Sequence, residues 1–142
     1  MQKAANAVKE RWQPPDEGWI KCNVDGAFYS ESGQGATGAV LQNDAGSFEA
    51  GRAKWYSHCL DPLSMEALAC RDGVALTADL GVQKLKIETD SQELVNLWKM
   101  GDNQRSCIAP IIREIRDRSA VFLAFSLVYA NRSCNHRSSC VG

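Results

Sequence analysis

The order of short apolar segments along this chain predicts an α/β domain built on a mixed five-stranded sheet with its helices on one face. Three strand-like segments joined by short turns come first and imply an antiparallel meander. A long helical stretch separates them from a fourth strand, and two further helical segments precede a fifth. The resulting order β-β-β-α-β-α-α-β makes the first and fourth strands neighbours, and a right-handed strand-helix-strand crossover gathers the helices on one side. With 142 residues, 44% of them apolar and 23% charged, the chain can bury one well-packed core and is too ordinary in composition to be disordered, collagenous or coiled-coil.

Each element has a local reason. Residues 1–18 hold a short stretch of helical character that stops at Pro14-Pro15. Adjacent prolines hold the backbone extended, so 1–18 reads as an extension or linker entering a domain at 19–142. From Trp19, Ile20, Cys22 and Val24 fall on one face and Lys21, Asn23 and Asp25 on the other, the pattern of a strand with one apolar side. Ser30 to Gly35 turns the chain into a second strand, Ala36 to Gln42, and Asn43-Asp44-Ala45-Gly46 turns it into a third, Ser47 to Tyr56. Asp61-Pro62 supplies an N-cap and a first-turn proline to a helix of about five turns that stops at Gly81. Lys84 to Thr89 alternates again, and Asp90-Ser91-Gln92-Glu93 opens a short helix to Met100. Ile108 to Ser119 is amphipathic, Val121 to Tyr129 is the expected fifth strand, and Ala130 to Gly142 has no apolar period.

Composition narrows the function classes. The net charge of -1 gives no support to general nucleic-acid binding, but the charge is unevenly spread. Residues 1–12 carry net +2 and residues 111–142 net +3, whereas residues 13–110 hold 8 basic and 14 acidic groups. An acidic centre of this kind suits a cation site better than a broad phosphate-binding surface. No apolar run reaches the length of a bilayer span, and Met1 to Asn6 leads into no signal core. The expectation is a soluble intracellular protein, with nothing to choose between nucleus and cytoplasm. Cys22, Cys59, Cys70, Cys107, Cys134 and Cys140 make no C-x-x-C pair and no zinc spacing, and read as reduced, small core residues.

One motif match and one lone histidine lead nowhere. Gly33-Gln34-Gly35-Ala36-Thr37-Gly38 has the spacing of a dinucleotide loop, but a strand follows it where a helix N-terminus is needed to receive a pyrophosphate. His58 has no Ser or Cys nucleophile in a motif that would pair with it.

Three acids stand out by placement. Asp25 ends the first strand on its polar face and Asp90 ends the fourth; if those strands are parallel neighbours, both carboxylates lie at one edge of the sheet. Glu66 lies in the second turn of the long helix, in line with Cys70, Gly73 and Thr77, a run of small residues that lets the helix pack close to the sheet. Each acid also has a plain structural alternative: Asp25-Gly26 a turn, Asp90 an N-cap, Glu66 a solvated helix residue. Taken together they point elsewhere, because clustered carboxylates repel one another unless a cation neutralises them, and an all-oxygen set suits Mg²⁺ or Mn²⁺.

Trp19-Ile20-Lys21-Cys22-Asn23-Val24-Asp25-Gly26-Ala27, the turn around Asp44-Ala45-Gly46, Glu66-Ala67-Leu68-Ala69, Glu88-Thr89-Asp90-Ser91 and Arg132-Ser133-Cys134-Asn135 occur in a specific order. Together they resemble the ribonuclease H-like domain common in plants, often the C-terminal part of non-LTR retroelement reverse transcriptases. The resemblance covers roughly residues 12 to 135. It implies a five-stranded mixed sheet of order 3-2-1-4-5 flanked by helices, and metal-dependent hydrolysis of the RNA strand of an RNA/DNA hybrid. The family's acidic positions fall on Asp25, Glu66 and Asp90. Two Mg²⁺ or Mn²⁺ ions would lie about 4 Å apart, with Asp25 bridging both and Glu66 and Asp90 holding one each. The C-terminus departs from the pattern: the fourth site position falls on Ser139, His136 is the nearby side chain of the right type but three places early, and the usual C-terminal helix is missing or altered. That departure keeps an alternative open, a catalytically impaired module of the same fold that binds nucleic acid or a protein partner.

Overall fold

A computed structural model describes residues 18–101 and 106–131. Five strands, β1 (Trp19–Tyr29), β2 (Gln34–Gln42), β3 (Phe48–Tyr56), β4 (Lys84–Thr89) and β5 (Ala124–Tyr129), form one sheet in the order β3-β2-β1-β4-β5. β1 to β3 pair antiparallel, whereas β1 with β4 and β4 with β5 pair parallel. Three helices, α1 (Pro62–Asp79), α2 (Gln92–Met100) and α3 (Ala109–Ser119), pack together on one face.

The expected mixed sheet and its order are observed, and the local signals act as anticipated. Asp61 caps α1, its carboxylate accepting from Ser64 N at 2.7 Å, and Gly81 follows the helix with φ of +76°. Asn43 Oδ1 closes the second turn by accepting from Ala45 N and Ser47 N. The Gly-x-Gly segment belongs to a hairpin: Gly33, at φ +72°, donates to Tyr29 O, and β2 runs on from there.

Two bounds differ most from expectation, beyond shifts of one or two residues such as the start of β2 at Gln34 instead of Ala36. β1 runs four residues past Asp25, because its pairing with β2 continues to Tyr29↔Gln34. β5 begins at Ala124 instead of Val121, since Val121 and Phe122 donate back into the end of α3 and leave Val121 and Leu123 exposed.

Alternation along the strands builds the core. Cys22 and Val24 of β1, Leu41 of β2, Leu85 and Ile87 of β4 and Leu127 of β5 turn inward to meet Val74, Leu94, Ile112 and Ile115 of the helices. Each such Leu or Ile contributes about 1.5–3 kcal/mol by leaving water. Gly73 allows the close approach that the small-residue run of α1 suggested, since a Cβ there would lie 2.9 Å from Val24 Cγ1 and 3.0 Å from Cys22 Sγ. No described helix is long and apolar enough to cross a membrane.

Candidate active site

The sheet topology brings two of the acids together. β1 and β4 stay in register from Trp19↔Lys84 to Asn23↔Glu88, where their pairing stops. Asp25 lies two residues beyond that last pair on β1, and Asp90 one residue beyond the end of β4. Two parallel strands whose mutual pairing stops at the same end thus carry their carboxylates to the same place.

Glu66 arrives from the helix side. The first turns of α1 lie so close to β1 that a Cβ on Gly26 would sit 2.5 Å from the Met65 carbonyl group and 2.9 Å from Glu66 N. Only glycine permits that contact, because the obstacle is backbone. Asp61 fixes where the helix begins, and therefore where its second turn projects. The result is that Asp25, Glu66 and Asp90 each offer a carboxylate oxygen, all within 4.8 Å of one another, with Asp25 exposed and the other two half-buried.

The plain alternatives do not describe these residues. Asp25-Gly26 is continuous strand, and Ser91, not Asp90, caps α2 by accepting from Leu94 N at 3.2 Å. Glu66 is half-buried, not a solvated helix residue. Three hard oxygen donors converging at one sheet edge fit a magnesium- or manganese-type ion.

The cysteines nearby are packing residues. Burial pushes the Cys22 thiol up to about 12. Burial pushes Cys70, one turn along α1 from Glu66, well above the ordinary range, with Cys22 and Glu66 adding to it. Thiols so raised stay protonated and unreactive. Cys22, Cys59, Cys70 and Cys107 are all free, as the spacing suggested, but only Cys22 and Cys70 are core residues, Cys59 being half-buried and Cys107 exposed in the turn before α3; Cys134 and Cys140 lie outside the described residues. Ser139 and His136, together with Arg132 to Asn135, also lie outside them.

Two features escaped the sequence reading. The first is that Asn23, already placed on the outer face of β1 with Asp25, has its Oδ1 buried without a hydrogen-bond partner among the described residues. Both line an open hollow of about 560 Å³ with Gly38, Val40, Gly51 and Arg52. The strict alternation of Asn23 and Asp25 was the available signal. The second feature is a polar latch on the helix side. Asp72 of α1 accepts from Thr37 Oγ1 and Tyr56 OH, both at 2.7 Å, and Arg71 Nη2 donates to Tyr56 OH at 2.9 Å. Arg71 also pairs with Glu114 of α3 at 3.5 Å, so the latch joins β2, β3, α1 and α3.

Comparison with known proteins gives the same architecture. The ribonuclease H1 of the halophilic archaeon Halobacterium salinarum superimposes with a TM-score of 0.75 at 20% identity, covering 86% of this chain and 92% of that one. LC11-RNase H1, solved in complex with an RNA/DNA hybrid, gives a TM-score of 0.71 at 14% identity over 83% of this chain and 89% of that one. In sequence, a protein of Arabidopsis thaliana provisionally named a ribonuclease H protein is 26% identical over 102 residues. That match takes in 72% of this chain but only 16% of the relative's length. The family model described as reverse transcriptase-like matches residues 23–141, a span that contains all three acids. A sheet of order 3-2-1-4-5, an acidic cluster at the end of its paired parallel strands and a family match over most of the length agree: the chain belongs to the reverse transcriptase-like family and has the ribonuclease H fold.

Proposed function

We propose that this chain is a metal-dependent endonuclease that hydrolyses the RNA strand of RNA/DNA hybrids, in the manner of plant retroelement ribonuclease H domains. The observation that carries the proposal is the convergence of Asp25, Glu66 and Asp90 within 4.8 Å. Those residues would hold two Mg²⁺ or Mn²⁺ ions, Asp25 serving both and Glu66 and Asp90 one each. When bound, such ions supply an activated water and neutralise charge on the leaving 3′ oxygen. The chain's own groups do the positioning: Gly26 lets α1 approach, Asp61 sets its start, and the exposed side of Asp25 leaves room for a phosphodiester backbone. Recognition of the 2′-hydroxyl would distinguish RNA from DNA at the scissile position. A hybrid-bound relative of the same fold supports the choice of substrate.

The test is cleavage of a labelled RNA/DNA duplex by the purified chain with Mg²⁺ or Mn²⁺. Wild type cuts the RNA strand and Asp25→Asn does not; cleavage that survives this substitution rejects the metal role. Ser139 at the fourth position favours a second outcome, salt-sensitive hybrid binding without turnover at any metal concentration.

A further inference from the structure

We infer that the face of β1, β2 and β3 turned away from the described helices binds a single-stranded nucleic-acid segment, with Tyr29 and Trp55 as the surface on which its bases stack. The inference rests on the proposed function for where that strand comes from. The two rings stack on each other, centroids 5.7 Å apart and planes 27° from parallel, yet Tyr29 is 48% and Trp55 56% exposed. Large aromatic surface left in water at one place on a small domain marks a contact site.

The register places this pair beside the acids. Tyr56 sends its hydroxyl to Asp72 on α1, so Trp55, its neighbour on β3, lies on the opposite face of the sheet, the face on which alternation with the buried Val24 also places Asp25. Asp25 lies in the row Asp25↔Gly38↔Ala53, and Trp55 in the row Ala27↔Ala36↔Trp55, two residues or about 7 Å farther along the strands. Between them the floor is Ala27, Ala36, Gly38 and Ala53, and a Cβ at Gly38 would meet nothing within 4 Å. Gly38 and Ala53, at the Asp25 end of this floor, also line the hollow beside Asp25. Small residues thus line the whole way along the strands from the Asp25 row to the aromatic pair. Continuity with the acidic site and a sequence-tolerant stacking surface favour nucleic acid over a protein occupant.

The experiment compares, for the full chain in EDTA so that nothing is cut, the affinity for a blunt RNA/DNA hybrid and for hybrids with a short single-stranded overhang at each end and polarity. One overhang should tighten binding about tenfold, the worth of stacking roughly one base. An abasic overhang of equal length should give no gain, and in Trp55→Ala and Tyr29→Ala, with folding checked by circular dichroism, the ratio of the two affinities should fall to about one. A wild-type protein indifferent to every overhang overturns the inference, and so does a gain that survives Trp55→Ala or that the abasic strand reproduces. Loss of self-association or of protein binding in Trp55→Ala, with the overhang gain intact, assigns the surface to a protein and equally overturns it. An overhang gain in a chain that never cleaves hybrid would sink the hydrolytic function alone, whereas cleavage without any gain would sink only this inference.

Discussion

Glu66 and Asp72 sit on the same helix, six residues apart, in opposite electrostatic settings. Asp72 lies under the sheet, where Thr37, Tyr56 and Arg71 supply the donors its carboxylate needs. Glu66 lies at the edge of the sheet, with a carboxylate oxygen within 4.8 Å of one from each of two more acids. The first arrangement is complete within the protein and ties four elements together. The second gathers charge of one sign and gains stability when positive charge is added. Stability and chemistry are thus separated along two turns of α1, and substitutions at the two places should separate in what they change.

The largest expected effect is at the acidic cluster. Asp25→Asn should lower hybrid cleavage by roughly a thousandfold, the worth of several kcal/mol of metal-assisted stabilisation. The same change relieves repulsion, so the melting temperature without metal should hold or rise. Mg²⁺ should raise the melting temperature of wild type and leave that of Asp25→Asn nearly unmoved, because only a site that binds the ion in the folded state shifts unfolding. A calorimetric scan with and without Mg²⁺ checks both; equal Mg²⁺ shifts in the two proteins would show that the cluster is not where the ion binds.

Gly26→Ala connects the two regions. Its new Cβ would press on the Met65 carbonyl, and backbone cannot step aside as a flexible side chain can. The first turns of α1 must shift, carrying Glu66 with them. A displacement of about 1 Å at a reacting centre costs roughly a hundredfold in rate, whereas crowding of this kind costs about 1–3 kcal/mol in stability. Activity per folded molecule should therefore fall far more than a urea midpoint suggests, and unchanged activity would mean that α1 does not position Glu66.

The topology and the acidic cluster were legible in the sequence, and the reasons are local. Alternation at Cys22/Val24 and Leu85/Ile87 marked which faces of β1 and β4 are buried, and so which acids stand at their ends. What could not be read were matters of register. Nothing in Arg71-Asp72, set within an Ala- and Leu-rich helix, says that Thr37 and Tyr56 will arrive beneath it from two different strands. The cap of α2 was equally ambiguous, since Asp90 and Ser91 are both good capping residues. The parallel pairing that ends at Asn23↔Glu88 leaves Asp90 facing Asp25, and Ser91 takes the cap. The stacking of Tyr29 on Trp55 likewise depends on a strand-to-strand offset that no single-sequence pattern encodes.

Removal of Asp72 should act on stability alone. In Asp72→Ala, Thr37, Tyr56 and Arg71 lose a shared acceptor in a buried setting, which costs about 2–3 kcal/mol. Chemical denaturation should show that loss, while cleavage by the folded fraction stays near wild type. A large drop in cleavage by the folded fraction would show that the latch also holds the catalytic geometry.

The smallest expected effect is the most selective in its pH dependence. Burial, reinforced by the hydrogen bond to Asp72 and that residue's charge, pushes the Tyr56 phenol up from 10 to about 12. Because the folded value exceeds the unfolded one, it is the protonated phenol that the fold retains. Its contribution is complete below pH 10 and is lost as the pH rises toward 12. Tyr56→Phe keeps the ring and removes the hydroxyl, at a cost on the order of 1 kcal/mol at neutral pH because the site is only partly shielded from solvent. The two proteins should then converge in stability as the pH climbs from 10 to 12. Cys22 is raised into the same range in both proteins, so the difference between the two curves isolates Tyr56. A constant gap across that range would mean that the phenol ionises as freely in the folded protein as in the unfolded chain, and that the hydroxyl oxygen contributes as an acceptor for Arg71 with or without its proton.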